Sequence, residues 1–225
     1  MKITFLKWGA VSLALLVSAA GATTVLAQDP SASQSSPAAA TPAQEPEKKA
    51  DPNIAQRKEN QQDRIANGVK SGQLTPGETA NLENKEAAIN KETRTDRAAN
   101  GGKLTGAEKA QINRQQNQTS KQIYADKHNA NTAHYGNNAV GQRRENQQDR
   151  IAQGIKSGQL TPKETSKLEK QQQGINKQVA TDRRANGGSL NASQKKQINK
   201  SQNQASRNIY QKKHNAATQP DAKKP

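Results

Sequence analysis

Most of the chain between residues 55 and 216 is one sequence written twice, 86 positions apart. Arg57-Lys58-Glu59-Asn60-Gln61-Gln62-Asp63-Arg64-Ile65 returns as Arg143-Arg144-Glu145-Asn146-Gln147-Gln148-Asp149-Arg150-Ile151. SGQLTPGETANLE, from Ser71 to Glu83, returns as SGQLTPKETSKLE from Ser157 to Glu169. A shortened form of that turn follows in each copy, GGKLTGAEKAQI at Gly101 to Ile112 and GGSLNASQKKQI at Gly187 to Ile198. Each copy closes alike, with Ile123-Tyr124 and Lys127-His128-Asn129 matched by Ile209-Tyr210 and Lys213-His214-Asn215. About three-fifths of aligned positions are identical, so whatever one copy folds into, the other must also fold into. Two modules are expected, 54–129 and 142–215, joined by an Asn- and Gly-rich linker at 130–141 long enough to let them move independently.

Each module reads as three helices, giving an all-α chain of two tandem three-helix modules. In the first module they cover roughly Ala55 to Val69, Pro76 to Ala98 and Gly106 to Lys127. Thr75 with Glu78, Thr105 with Glu108 and Thr161 with Glu164 form capping boxes, a hydroxyl at the N-cap and a carboxylate three residues on; Asn191 with Gln194 is a weaker version. Such pairs satisfy backbone N–H groups that the first turn leaves without partners, and Pro76 sits where the helix needs no donor. Gly72 and Gly101-Gly102 can close the preceding helices in a left-handed conformation. Ile65 and Val69, Leu82 and Ile89, and Ile112 and Ile123 each fall near one helix face, while Leu74 and Leu104 precede their caps as candidate staples.

The apolar inventory is thin. Beyond Gln28, Leu, Ile and Val supply only about a tenth of the residues, and burial of so few exceeds ordering entropy by little. Either the modules pack on each other or a partner supplies the missing surface. Most of the strong hydrophobicity lies in the first 27 residues, where Lys2 and Lys7 precede an apolar run from Trp8 to Ala22 and the small-residue site Val25-Leu26-Ala27. That pattern predicts a secretory signal peptide over 1–27 and an exported protein, periplasmic or secreted, with no transmembrane segment once it is removed. Residues 28–53, rich in Ala, Pro, Ser, Gln and Thr, read as a disordered spacer, and 216–225 as a disordered tail. With no cysteine, there is no disulfide framework and no thiolate metal site.

No nucleophile sits in a recognisable catalytic setting, each repeated Asp is followed by Arg, and so thin a core offers little to desolvate a carboxylate; the sequence argues against an enzyme and implies no cofactor. One His per module, His128 and His214, is too few ligands for a closed metal site and suits a helix C-terminus; Tyr124 and Tyr210 read as core edge. The turn also resembles the back half of a degenerate EF-hand loop, with Asn67 at position one, Gly72 mid-loop, Leu74 buried and Glu78 as the terminal carboxylate. Val69, however, falls where that loop needs an oxygen ligand.

What remains is charge. The chain carries a formal +16, of which Lys2 and Lys7 leave with the signal. Arg57, Lys58, Arg64 and Lys70 on the first helix, repeated as Arg143, Arg144, Arg150 and Lys156, are the candidate polyanion-binding residues, and the third helices and tail are the more uniformly basic parts. The words ENQQDRIA, SGQLTP.E, ANGG.L and IY..KHN resemble those of small exported helical-repeat proteins of soil bacteria. That resemblance implies the module and the compartment and brings no site residues with it. The expected function is low-specificity binding of an anionic partner: an envelope glycan, a lipid headgroup or extracellular nucleic acid. A calcium or metal binder and a periplasmic helical chaperone or assembly partner are the alternatives.

Overall fold

The computed structural model describes residues 52–219, all of them helix or connection, with no strand among the described residues. The expected signal peptide, nearly all of the expected spacer and residues 220–225 of the expected tail lie outside the described residues. Six helices follow in order: α1 (Pro52–Lys70), α2 (Pro76–Ala99), α3 (Gly106–Lys127), α4 (Ala139–Lys156), α5 (Pro162–Ala185) and α6 (Ala192–Lys213). α1 thus begins inside the expected spacer, at a proline suited to a first turn.

Local chemistry fixes the helix starts. Thr75, Thr105, Thr161 and Asn191 are extended N-cap residues, and each forms a reciprocal capping box with Glu78, Glu108, Glu164 or Gln194. At the first turn Gly72 has φ +70° and its N–H reaches Val69 O at 3.1 Å, while Leu74 N–H reaches Gly68 O at 3.0 Å. Gly158, Ile155, Leu160 and Gly154 repeat that geometry.

Two helices of the first repeat face their own copies, α1 on α4 and α2 on α5, while α3 covers α1 and α2 and α6 covers α4 and α5. The central cluster takes Ile65, Val69, Leu74, Leu82 and Ile123 from one repeat and Ile151, Ile155, Leu160, Leu168 and Ile209 from the other. A smaller cluster closes each repeat, Ile54, Ile89, Leu104 and Ile112 in the first and Val140, Ile175, Val179 and Ile198 in the second. The expectation of independently moving modules is therefore corrected. The largest cluster takes residues from both repeats, so the two share their main core.

The connecting segments pack too. Ala133 N–H donates to Gly72 O at 2.8 Å, and its repeat Gln219 donates to Gly158 O at 2.9 Å. The Gln219 side chain is buried and donates to Gln62 Oε1 at 2.9 Å and Leu160 O at 2.8 Å. Of the tail expected to be unstructured, residues 216–219 are thus laid against the helices.

Candidate anion-binding face

α6 carries Lys195, Lys196, Lys200, Arg207, Lys212 and Lys213 and no Asp or Glu. Its buried side holds Ile198, Gln202, Ala205 and Ile209, spaced by three and four, so the cations fall on the remaining surface. Lys195, Lys196, Lys200 and Arg207 are exposed. Lys212 and Lys213 are half-buried; Lys213 donates to Gln153 Oε1 at 2.9 Å, and burial, then the nearby Arg150, push its pKa below the ordinary lysine value. Lys200 and Arg207 line a groove of about 540 Å³ between α5 and α6, together with the amides of Gln171, Gln178, Gln197 and Gln204. Arg207 Nη2 donates to Gln204 Oε1 at 2.6 Å, which orders the rim. A surface of amides and cations without a carboxylate suits a ligand with hydroxyls and anionic groups. The first repeat keeps cations at both positions, Arg114 for Lys200 and Lys121 for Arg207.

The eight basic residues expected from the first helices stand differently. Lys58 and Arg144 are buried and cannot reach a polymer in this conformation. Arg57 and Arg143 donate to Asn117 and Asn203 across to the third helix of their repeat, at 2.8 and 3.0 Å. Arg64 donates to Ser120 Oγ at 2.6 Å and Ser120 O at 3.1 Å, and Arg150 to Ser206 O at 3.3 Å. These four clamp the first helix of each repeat to its third. Lys70 and Lys156, at the helix ends, are exposed. The helical pattern put four of them on the first helix of each repeat without showing that the third helix would cover that side.

Inside, the core is completed by polar side chains. Gln61 Nε2 donates to Gln116 O at 2.7 Å and Gln116 Nε2 to Ile54 O at 3.0 Å; Gln147, Gln202 and Val140 repeat the chain. Gln62 donates to Glu83 Oε2 at 3.1 Å and Gln148 to Glu169 Oε2 at 2.9 Å. Glu83, Glu86 and Glu169 are buried, and Glu83 Oε1, Glu169 Oε1 and both oxygens of Glu86 meet no hydrogen-bond donor. Burial, with the charges of Glu86 and Glu169 adding to it, raises the Glu83 carboxyl to about 8. Burial, opposed by the Gln148 hydrogen bond, raises Glu169 to about 8, and burial opposed by Lys58 raises Glu86 to about 7. The expectation that this core could not desolvate a carboxylate is therefore corrected: amides and carboxyls, not aliphatics, supply the missing interior.

His128 and His214 cap α3 and α6, with Nδ1 at 2.7 Å from Tyr124 O and Tyr210 O. The imidazoles stack on Tyr124 and Tyr210 at 4.2 Å between centroids, and both tyrosines stay more than half exposed, so the reading of them as core edge is corrected. In the loop that resembles an EF-hand, Glu78 Oε2 accepts from Thr75 N–H and Oγ1 and Oε1 from Asn129 and Asn131, donors that take the lone pairs a cation would use. Among the described residues no group of three or more His, Cys, Asp or Glu is arranged to hold a metal ion, and no helix is long and apolar enough to cross a membrane. No protein-family model, curated protein or solved structure matches the chain.

Proposed function

We propose that this is an exported, non-enzymatic protein that binds an acidic glycan of the envelope or its surroundings through the outer face of α6 and the α5–α6 groove. The observation that carries the reading is the run of six cations without an acid on α6, set beside four glutamine amides. Amides bond to hydroxyls and cations pair with carboxylates or phosphates, and such contacts are screened by salt. The first repeat keeps cations at Arg114 and Lys121 but has Glu92 in the place of Gln178, accepting from Gln115 at 2.7 Å, so the acid-free groove belongs to the second repeat.

The test measures binding of the mature chain to polygalacturonate, to duplex DNA and to anionic phospholipid vesicles, each at low and physiological salt. The glycan is expected to bind most tightly, with affinity that falls as salt rises. Lys200→Gln with Arg207→Gln should weaken it about tenfold, since two charge-assisted contacts are lost. Equal binding by the double variant, or tighter binding to DNA or vesicles than to the glycan, would refute the assignment.

A further inference from the structure

The two repeats build two equivalent grooves that differ in what they hold. The groove between α4, α5 and the start of α2 is filled by the connector. Tyr135 lies against Arg144, 5.0 Å from ring centroid to guanidinium carbon; its carbonyl accepts from Arg144 Nη2 at 2.8 Å and its hydroxyl meets Asn176. The connector backbone presses so closely on α4 that a side chain at Gly141 would collide with the carbonyl oxygens of Tyr135 and Gly136.

The counterpart groove, between α1, α2 and the start of α5, has a volume of about 610 Å³, within the ~300–1,000 Å³ range of ligand sites. Its frame is retained: Asn90 stands for Asn176, Arg97 for Arg183 and Thr218 for Thr132. Its lining is changed. No aromatic residue is among the described lining residues, and Ala87, Ala88 and Ile89 give it an apolar wall. Arg94 replaces Ala180, joining Lys91, Arg97 and Lys163 on a rim with no carboxylate among the described lining residues. Lys58, in the place of Arg144, has Glu86 as its charge partner, where the second repeat has Gln172. Ala55 replaces Gly141, so its methyl bars the close backbone approach that the connector makes.

We infer that this groove docks an extended polypeptide segment of a partner protein that carries an aromatic side chain beside acidic residues. The twin groove supplies the precedent for an extended segment with a tyrosine. Ala87, Ala88 and Ile89 in the lining keep an apolar place for the ring, and the rim of four cations selects acidic neighbours. With Ala55 holding the backbone off, the occupant engages through its side chains. This site is separate from the α6 face.

The probe is the fluorescein-labelled peptide Asn-Thr-Ala-His-Tyr-Glu-Glu-Asn, the connector sequence with two acids after the tyrosine, titrated into the mature chain and followed by anisotropy. Saturable binding is expected, weakened about tenfold or more when alanine replaces the peptide's tyrosine, because an aromatic burial is lost. Ala88→Trp, at an exposed position in the groove lining, should abolish it. Arg94→Ala, which installs the residue of the other repeat, should weaken it several-fold without changing the melting temperature. Lys200→Gln with Arg207→Gln should leave it unchanged, so this inference and the glycan reading fail separately. Absence of saturable binding, or binding indifferent to Ala88→Trp and Arg94→Ala, would overturn the inference. So would binding seen only in a chain ending at Gln219, which would make the protein's own C-terminal residues the occupant.

Discussion

Glu83, Glu86 and Glu169 hold their protons more tightly in the folded chain than in the unfolded one, because burial penalises the charged form. Below the ordinary glutamate value of 4.5 they are protonated in both states and cost nothing. As pH rises towards 8 the unfolded chain releases these protons and the folded chain keeps them, so stability falls and then levels off. Glu78 acts in the opposite sense: its hydrogen bonds from Thr75, Asn129 and Asn131 outweigh burial and lower its pKa, so its contribution is lost on acidification. The melting temperature should therefore peak in mildly acidic buffer. Glu83→Gln with Glu169→Gln keeps acceptors for Gln62 and Gln148 and should flatten the decline between about pH 5 and 8. An unchanged slope in thermal melts would contradict the burial of these carboxyls. None of this is visible in an apolar periodicity. Glu83 follows Leu82 and lies four residues after Thr79, yet all three are buried, and a count of aliphatics misses a face built from Thr, Glu and Gln. The available signal was the return of Glu83 as Glu169 and of Gln62 as Gln148 within a sequence that diverges elsewhere.

At the scale of the helix, starts were legible and partners were not. A capping box is local, and Thr161 with Glu164 needs nothing beyond four residues to form; Thr161→Ala should cost about 1 kcal/mol in denaturant unfolding. The turn that follows α4 depends on a close approach. A methyl at Gly154 would lie 2.6 Å from Leu160 Cδ1, and Leu160 is fully buried in the shared cluster. Gly154→Ala gains helix propensity, yet overpacking at this contact should leave a net loss of about 1–2 kcal/mol by the same measurement. The basic residues of α1 and α4 show the limit of helix-level reading. Four bond to α3 or α6 and two are buried, a fate set by the neighbouring helix and not by their own.

The shared central cluster makes a prediction about cooperativity. Ile151→Ala, in the second repeat, removes a fully buried side chain packed in the same cluster as Ile65 and Leu82 and should cost about 2–5 kcal/mol. Calorimetry should still show one transition, shifted as a whole; two separating transitions would mean that the repeats fold apart. The duplication was plain in the sequence, and so was the poverty of each copy in apolar residues. Which faces meet was not, because the buried faces include Thr, Glu and Gln that an apolar pattern does not mark. Since α1 rests on α4 and α2 on α5, each repeat uses its own copy as the lid of its interior. The natural unit of this architecture is therefore an even number. A chain with a single repeat would have to find its double in another molecule, and a third repeat would be left without a mate.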